Sequence, residues 1–331
     1  MDNYKKYIKN IILVLVIVLS IYIMYKLYTS SCDNYTNINS KVKVGIATTV
    51  KNPHQLNDWI KYHLKMGFSK LYIVFDDENE IFNNLYQNNK NVIIFKNDDK
   101  WKKELSLLPN MDYFLNDKKE VMSRQILNFA NSRNYAKLDK INWLLHIDAD
   151  ELFYPESINL EDIFDNNYST ILFQNYEMIP KKDNYKNCFV EGVNFKINPH
   201  IYNAYANGKS AVNVNSTSII AGVHDFIGGN KLSSTKGKIL HYPSCNFDEY
   251  VNKYKILGKF RDKWWDSVQI PFKFHTESRD IITECSAREL LGEEDACENS
   301  VRDYYNKSSV LNSTYNVNDI KLIEFVKNQL E

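Results

Sequence analysis

The chain has 331 residues, with 41 basic and 41 acidic side chains and a formal net charge of zero. Hydrophobic residues make up 44% of the sequence, which is typical of a globular protein with a sizeable core. Balanced charge without a concentrated basic region argues against a nucleic-acid partner. Five cysteines, an odd number, do not indicate a disulfide framework, although one bridge between Cys285 and Cys297 could form.

The N-terminal region differs from the rest of the chain. Three lysines among the first nine residues precede an apolar run over residues 11–25. A helix of that length spans about 22 Å, and flanking tyrosines and lysines extend it toward the bilayer interfaces. The lysine excess predicts a cytoplasmic tail over 1–6, a transmembrane signal-anchor over 7–28 and a stem over 29–41. We therefore expect a single-pass type II membrane protein with an ER- or Golgi-like lumenal domain; a cleaved signal peptide is the alternative.

Residues 42–262 are predicted to form one α/β domain. Near-continuous apolar runs predict strands over residues 41–50, 70–75, 91–95 and 142–147. Amphipathic spacing predicts helices between them, over residues 53–66 and 118–134. This alternation is typical of a Rossmann-like domain with a mostly parallel sheet and helices on both faces. In such sheets, ligands bind at the carboxyl ends of the strands.

The pattern is less regular after residue 155. Further strands are predicted over residues 169–176, 188–197, 209–224 and 237–242, with a helix over 246–260. Charged, partly helical sequence follows, so we expect residues 263–331 to form a mostly helical C-terminal extension.

The segment WLLHIDADELFYP, residues 143–155, is the most informative part of the chain. An apolar strand ends in Asp148 and Asp150, with Glu151 beside them. Acids at the end of a buried strand are costly unless something neutralises them. A divalent cation bound to a phosphorylated ligand would do so, which predicts a metal-nucleotide site. The alternative is a polar turn after the strand, and Glu151 is the member that we expect to be structural.

Four ordered segments resemble glycosyltransferases of the GT-A fold and, more narrowly, family 92 and related family-2-like enzymes. They are VKNPHQLNDWIKYHLKMGFSKLYIVFDDE, SRQILNFAN, WLLHIDADELFYP, and GKSAV…VHDF with ILHYPSCNFDEYVNKY, within residues 42–260. The resemblance implies a glycosyltransferase (EC 2.4 class) that moves a hexose or N-acetylhexosamine from a nucleotide-sugar, with UDP-sugar expected, to a glycan, glycoprotein or glycolipid acceptor. It also implies an inverting reaction. The chain departs from the family where FQNYEMIP replaces a W-x-x-F-G segment.

The chemistry of sugar transfer and the resemblance together suggest roles for individual residues. Mn²⁺ or Mg²⁺ would stabilise the charge on the leaving diphosphate, and such hard cations take oxygen ligands. We expect Asp150 to bind the ion directly, Asp148 to bind it or the ribose, and His224 to supply a later ligand. His241, inside an apolar strand, is expected to be structural. The residues expected to hold the nucleotide-sugar are Thr48, Lys51, Asn52, Asp76, Asp77, Arg124, Gln125, Asp148 and Lys253.

An inverting transfer also needs a carboxylate that takes the proton of the acceptor hydroxyl. Glu191 is the first candidate, because CFVEGVNF predicts a buried strand; Glu177 and Asp225 are the others. Two other functions stay open. One is a glycoside hydrolase that uses two carboxylates, and the other is a non-catalytic, membrane-anchored glycan-binding protein that retains the fold.

Overall fold

The structure is a computed structural model that describes residues 42–83, 85–156, 159–180, 185–257, 261–263, 270, 273–289, 294–309, 316–317 and 320–330. The predicted tail, signal-anchor and stem therefore lie outside the described residues. Among the described helices, none is both long and apolar enough to cross a membrane. Residues 42–331 belong to one compact unit.

The strands and helices are numbered here in chain order. The strands are β1 (Val44–Val50), β2 (Lys70–Phe75), β3 (Val92–Lys96), β4 (Trp143–His146), β5 (Glu151–Pro155), β6 (Thr170–Met178), β7 (Phe195–Lys196), β8 (Lys209–Asn213), β9 (Ile219–Ile220), β10 (Phe226–Ile227), β11 (Lys231–His241) and β12 (Asn316–Val317). The helices are α1 (Leu56–Lys65), α2 (Asp99–Leu105), α3 (Asp112–Asn116), α4 (Val121–Leu138), α5 (Cys188–Glu191), α6 (Phe247–Ile256), α7 (Lys273–Glu289), α8 (Glu294–Ser309) and α9 (Ile320–Leu330).

The main sheet runs in the order β12-β7-β6-β8-β4-β1-β2-β3, and β11 pairs with both β5 and β6. Strands β4, β1, β2 and β3 are mutually parallel, as in a Rossmann-like sheet. From β4 toward β12 the pairing is antiparallel, while β11 runs parallel to β6 and antiparallel to β5. The predicted α/β class is confirmed. The continuous parallel part of the main sheet consists of β4, β1, β2 and β3.

Both faces of the parallel strands are covered by helices, as predicted. Alternate residues of a strand point to opposite faces. Val44 and Ile46 of β1 pack in one core cluster with Trp59 of α1. Ala47 packs in the second cluster with Ile126 of α4. Two separate apolar layers therefore hold the sheet between helices, which fixes the positions of the strand ends.

Side chains of helix α1 form hydrogen bonds with the backbone of β5, the strand that follows Asp148 and Asp150. The Trp59 indole N–H donates to the backbone oxygen of Glu151 at 2.7 Å. His63 Nδ1 lies 2.9 Å from the Trp59 oxygen, and its Nε2 accepts from the Phe153 N–H at 3.2 Å. Burial lowers the pKa of His63 to about 3, so the ring is neutral and can both donate and accept.

The helices after residue 263 pack onto the rest of the domain. Helices α6, α7 and α8 share an apolar cluster that includes Tyr250, Ile282 and Val301. Helix α9 contributes Leu322 to the same core as α1. A disulfide joins Cys285 to Cys297 between α7 and α8, as the sequence allowed. A second disulfide, which was not predicted, joins Cys188 of α5 to Cys245 just before α6.

One predicted element is wrong. The stretch CFVEGVNFKI was predicted to be a strand, but it forms the short helix α5 followed by β7. Asn187 explains the difference, because its side chain caps α5 by accepting the Val190 N–H at 3.2 Å. The strand pair predicted over 209–224 is not formed, because β8 pairs with β4 and β6, whereas β9 pairs with β10.

Candidate functional site

A cavity of about 1210 Å³ opens beside the carboxyl ends of β1 and β4. Its walls come from the loop after β1, the segment Asp148–Asp150 after β4 (the acidic turn), residues 204–207 and 209, the β11–α6 segment and His275 of α7. Small-ligand pockets typically measure roughly 300–1,000 Å³. The cavity therefore has room for a ligand as large as a nucleotide-sugar and for part of a second molecule.

Asp148 lies in this cavity between a lysine and an amide. Its Oδ2 is 2.6 Å from Lys209 Nζ, and its Oδ1 accepts from Gln125 Nε2 at 2.9 Å. Burial opposes ionisation, but the Lys209 ammonium outweighs burial and lowers the pKa of the Asp148 carboxyl. Asp148 is therefore a charged acceptor at neutral pH.

Asp150 has a second lysine and a histidine as neighbours. Its Oδ2 is 2.9 Å from Lys253 Nζ and 3.7 Å from His241 Nε2. Burial again opposes ionisation, but Lys253 and then His241 lower the pKa of the Asp150 carboxyl. Asp150 in turn raises the pKa of Lys253 against the effect of burial, so both groups stay charged.

Glu151 is buried behind the two aspartates. One carboxylate oxygen accepts the Asp148 N–H at 2.7 Å, and the other accepts the Tyr205 hydroxyl. Lys209 Nζ lies 3.6 Å away. Burial raises the pKa of the Glu151 carboxyl to about 7, although Lys209 opposes the shift. These contacts fit the structural role that the sequence suggested, because Glu151 fixes the turn that presents Asp148.

The acidic turn offers few protein ligands for a metal ion. Within the described residues there is no group of three or more histidine, cysteine, aspartate or glutamate side chains arranged to hold one. Asp150 and His241 are adjacent, however, and Asp148 lines the same cavity. Mg²⁺ in nucleotide sites is typically held by one or two carboxylates, with substrate phosphates and water completing its shell. The donor set therefore fits an ion shared with a diphosphate.

The structure places both His224 and His241 in the lining of the cavity. His224 lines the cavity, but its Nδ1 is 2.8 Å from the Gly208 oxygen and its ring packs against Tyr205. His241, which was expected to be structural, is the histidine beside Asp150. The antiparallel pairing of His241 with Glu151 across β11 and β5 produces this arrangement.

The predicted nucleotide-binding residues divide into two groups. Those that line the cavity are Lys51, Asn52, Gln125, Asp148 and Lys253. Thr48, Asp76, Asp77 and Arg124 lie outside its lining. Arg124 Nε is 2.9 Å from both carboxylate oxygens of Asp76, so these two side chains bind each other. At the end of β1, Thr49 rather than Thr48 lines the cavity.

All three predicted catalytic carboxylates lie outside the cavity lining. Glu191 accepts the N–H groups of Lys186 and Asn187 at the start of α5. Glu177 is buried and accepts two backbone N–H groups, from Asn203 and Ala204. Asp225 pairs with Lys231 at 2.6 Å. Each carboxylate therefore holds local structure in this conformation.

Several lining residues were not predicted from the sequence. His275 of the C-terminal region lies between the Tyr254 hydroxyl at 2.7 Å and the Ala204 oxygen at 3.0 Å. His54 and Glu249 also line the cavity and lie 2.9 Å apart, from His54 Nε2 to Glu249 Oε1. The sequence pattern does indicate a role for Lys209, because it is the first residue of an apolar strand, and a buried lysine needs a charged partner.

The chain matches no model of a known protein family. It is 26% identical over 169 residues to one Arabidopsis thaliana protein and 23% identical over 169 residues to another. Both relatives are named glycosyltransferase-like. Each match covers 42% of this chain, and the chain covers 38% and 33% of the respective relatives, so it spans about a third of their length. The similarity supports a relationship to glycosyltransferases at a general level.

Proposed function

We propose that this protein is a glycosyltransferase that binds a nucleotide-sugar, with UDP-sugar as the donor, in the cavity beside β1 and β4. It would transfer a hexose or N-acetylhexosamine to a glycan, glycoprotein or glycolipid. The observation that carries the proposal is the pair of ionised carboxylates, Asp148 and Asp150, which face a large cavity and each contact a lysine. The similarity to two glycosyltransferase-like proteins supports it independently.

The reaction breaks the bond between the sugar and a diphosphate, so negative charge develops on the leaving group. Lys253 is suited to stabilise that charge, because it lines the cavity and stays protonated beside Asp150. Asp150, Asp148 and His241 are the residues that would hold Mn²⁺ or Mg²⁺. When bound, the ion would add Lewis-acid stabilisation of the diphosphate. Gln125 keeps Asp148 oriented toward the same space.

The same geometry disfavours a glycoside hydrolase. Such enzymes need one carboxylic acid that is still protonated at working pH and a second carboxylate across the scissile bond. Lysine contacts lower the pKa of both Asp148 and Asp150, so neither is suited to be that acid. A non-catalytic glycan-binding protein stays the alternative, and turnover separates it from an enzyme.

We also propose that the catalytic region faces an oxidising lumen, with an anchor over residues 7–28. Two disulfides within the described residues support this location, because such bonds persist in secretory compartments and are rare in the cytosol.

The experiment is a donor screen with the full chain. UDP-, GDP- and dTDP-sugars are incubated with the protein, with Mn²⁺ or with EDTA, and the released nucleotide is measured. We expect release of UDP that requires Mn²⁺, and a higher melting temperature with UDP and Mn²⁺ together. No release from any donor, with no shift in melting temperature, would contradict the proposal.

A further inference from the structure

The proposed transfer requires a group that removes the proton of the acceptor hydroxyl. Among the described residues, the carboxylates that line the cavity are Asp148, Asp150 and Glu249. The two aspartates are each bound by a lysine and lie at the proposed diphosphate end. Glu249 differs, because its ionic partner is a histidine.

His54 and Glu249 form a hydrogen-bonded pair at the cavity wall. His54 Nε2 is 2.9 Å from Glu249 Oε1, and the side chains are 47% and 23% exposed. Within the described part of the chain, His54 Nδ1 has no hydrogen-bond partner. An imidazole that lines a cavity and is held by a carboxylate through one nitrogen, with its other nitrogen unpaired, has the arrangement that a general base requires.

The loop that carries His54 is held in an unusual conformation. Asn52 and Gln55, on either side of His54, have φ angles of +45° and +54°, which non-glycine residues rarely adopt. Hydrogen bonds fix both: the Asn52 N–H donates to Glu80, and the Gln55 side chain accepts the Cys188 N–H and donates to the Lys186 oxygen. Strain maintained by specific contacts is concentrated at functional sites.

Glu249, the other member of the pair, is also held in place by its surroundings. It lies on α6 one turn before Lys253, so both side chains are on the same side of that helix. One helical turn rises about 5.4 Å, which places Glu249 near the reacting sugar if Lys253 contacts the phosphates. The Cys188–Cys245 disulfide and the Asn246 cap hold the start of α6.

We propose that His54 is the catalytic base and that Glu249 is its positioning residue, an inference that rests on the proposed transferase function. The acceptor oxygen forms a bond to the anomeric carbon while its proton moves to His54 Nδ1. The bond from that carbon to the diphosphate oxygen breaks, and its electron pair leaves with the nucleotide diphosphate. Glu249 stabilises the imidazolium that results, and the proton is then lost to solvent.

Glu249 also has a structural contact that the test must preserve. Its N–H donates to Asn246 Oδ1 at 2.8 Å, and its Oε1 lies 3.1 Å from Asn246 Nδ2. Glutamine serves as well as glutamate at this position of a helix cap. Glu249→Gln therefore removes the charge and leaves the start of α6 intact.

The test compares the parent, His54→Ala, Glu249→Gln and Glu249→Asp, with His200→Ala as a control at an exposed histidine outside the cavity lining. UDP release from UDP-sugars is measured with water and with a panel of p-nitrophenyl glycosides as acceptors. UDP affinity is measured by calorimetry. We expect His54→Ala to lower kcat by about 100-fold or more, with unchanged UDP affinity, and imidazole to restore part of the rate. Glu249→Asp should retain more activity than Glu249→Gln.

Two results would overturn the assignment. One is a His54→Ala rate within threefold of the parent. The other is a loss of UDP affinity large enough to account for the whole loss of rate, which would make the pair part of the donor site. A parent protein that releases no nucleotide from any donor would instead contradict the transferase function itself.

Discussion

Replacing Lys209 should destabilise the folded protein strongly, because it would leave buried carboxylates without a counterion. Its side chain is 1% exposed and lies between Asp148 at 2.6 Å and the fully buried Glu151 at 3.6 Å. Lys209→Met keeps most of the volume and removes the charge, leaving two carboxylates without their counterion. Removing one partner of a buried ion pair typically costs about 3–5 kcal/mol. For a domain of this size, the melting temperature should fall by roughly 6–10 °C.

The loss of folding stability in Lys209→Met should depend on pH. Without Lys209, the pKa values of Asp148 and Glu151 in the folded state rise above their unfolded values. A raised folded pKa contributes stability that is present at low pH and lost as the pH rises through it. Because burial already raises the pKa of Glu151 to about 7, the deficit of Lys209→Met should shrink between pH 8 and pH 6.

Thermal melts followed by circular dichroism provide the assay. Lys255→Met is the matched control, since Lys255 is an exposed lysine on α6, and its change should stay within about 0.5 kcal/mol. Adding Glu151→Gln to Lys209→Met should recover part of the loss. A Lys209→Met protein that melts within 1 °C of the parent at every pH would refute the reasoning.

Three further predictions concern the fold and the ion. His63 has a pKa of about 3 when folded, below its unfolded value, so its share of the stability should fall as the pH drops below 6.5, by about 2 kcal/mol at pH 5. Burial also lowers the pKa of His146, His224 and His275, so these rings add to the loss. Denaturant titrations of the parent and His63→Gln at pH 7 and pH 5 that show the same loss for both proteins would contradict the assignment to His63. Cys188 and Cys245 are 57 residues apart, and replacing both with serine should cost about 4 kcal/mol on the chain-entropy scale, measured by urea unfolding. His241→Ala should weaken Mn²⁺-dependent UDP binding at least about tenfold in calorimetry, whereas His224→Ala should not; equal effects would reject the choice of histidine.

The parallel half of the fold was predictable from local patterns. Strands β1, β2 and β4 are apolar runs, and Pro53 and Gly67 bracket the α1 region. Parallel strands align their carboxyl ends, so the acidic motif had to open onto the edge where the cavity lies. For this reason Asp148, Asp150, Lys51 and Asn52 were found from the sequence as lining residues.

Long-range pairings were not predictable in the same way. His241 sits beside Asp150 because β11 pairs with β5 in one particular register, and no local pattern specifies a partner 91 residues away. Of the three predicted catalytic carboxylates, Glu191 was placed first because its segment was predicted to be a buried strand. Helix capping and backbone contacts occupy Glu191 and Glu177, and such contacts depend on loops whose paths the sequence pattern does not indicate.

The central claim is that the acidic turn supports cleavage of a nucleotide-sugar. The most direct measurement is the rate of UDP release from UDP-sugar with Mn²⁺, compared between the parent, Asp150→Ala and Asp225→Ala, which alters a carboxylate outside the cavity lining. We predict Mn²⁺-dependent release by the parent and by Asp225→Ala, and almost none by a folded Asp150→Ala. Release by Asp150→Ala at the parent rate would contradict the account.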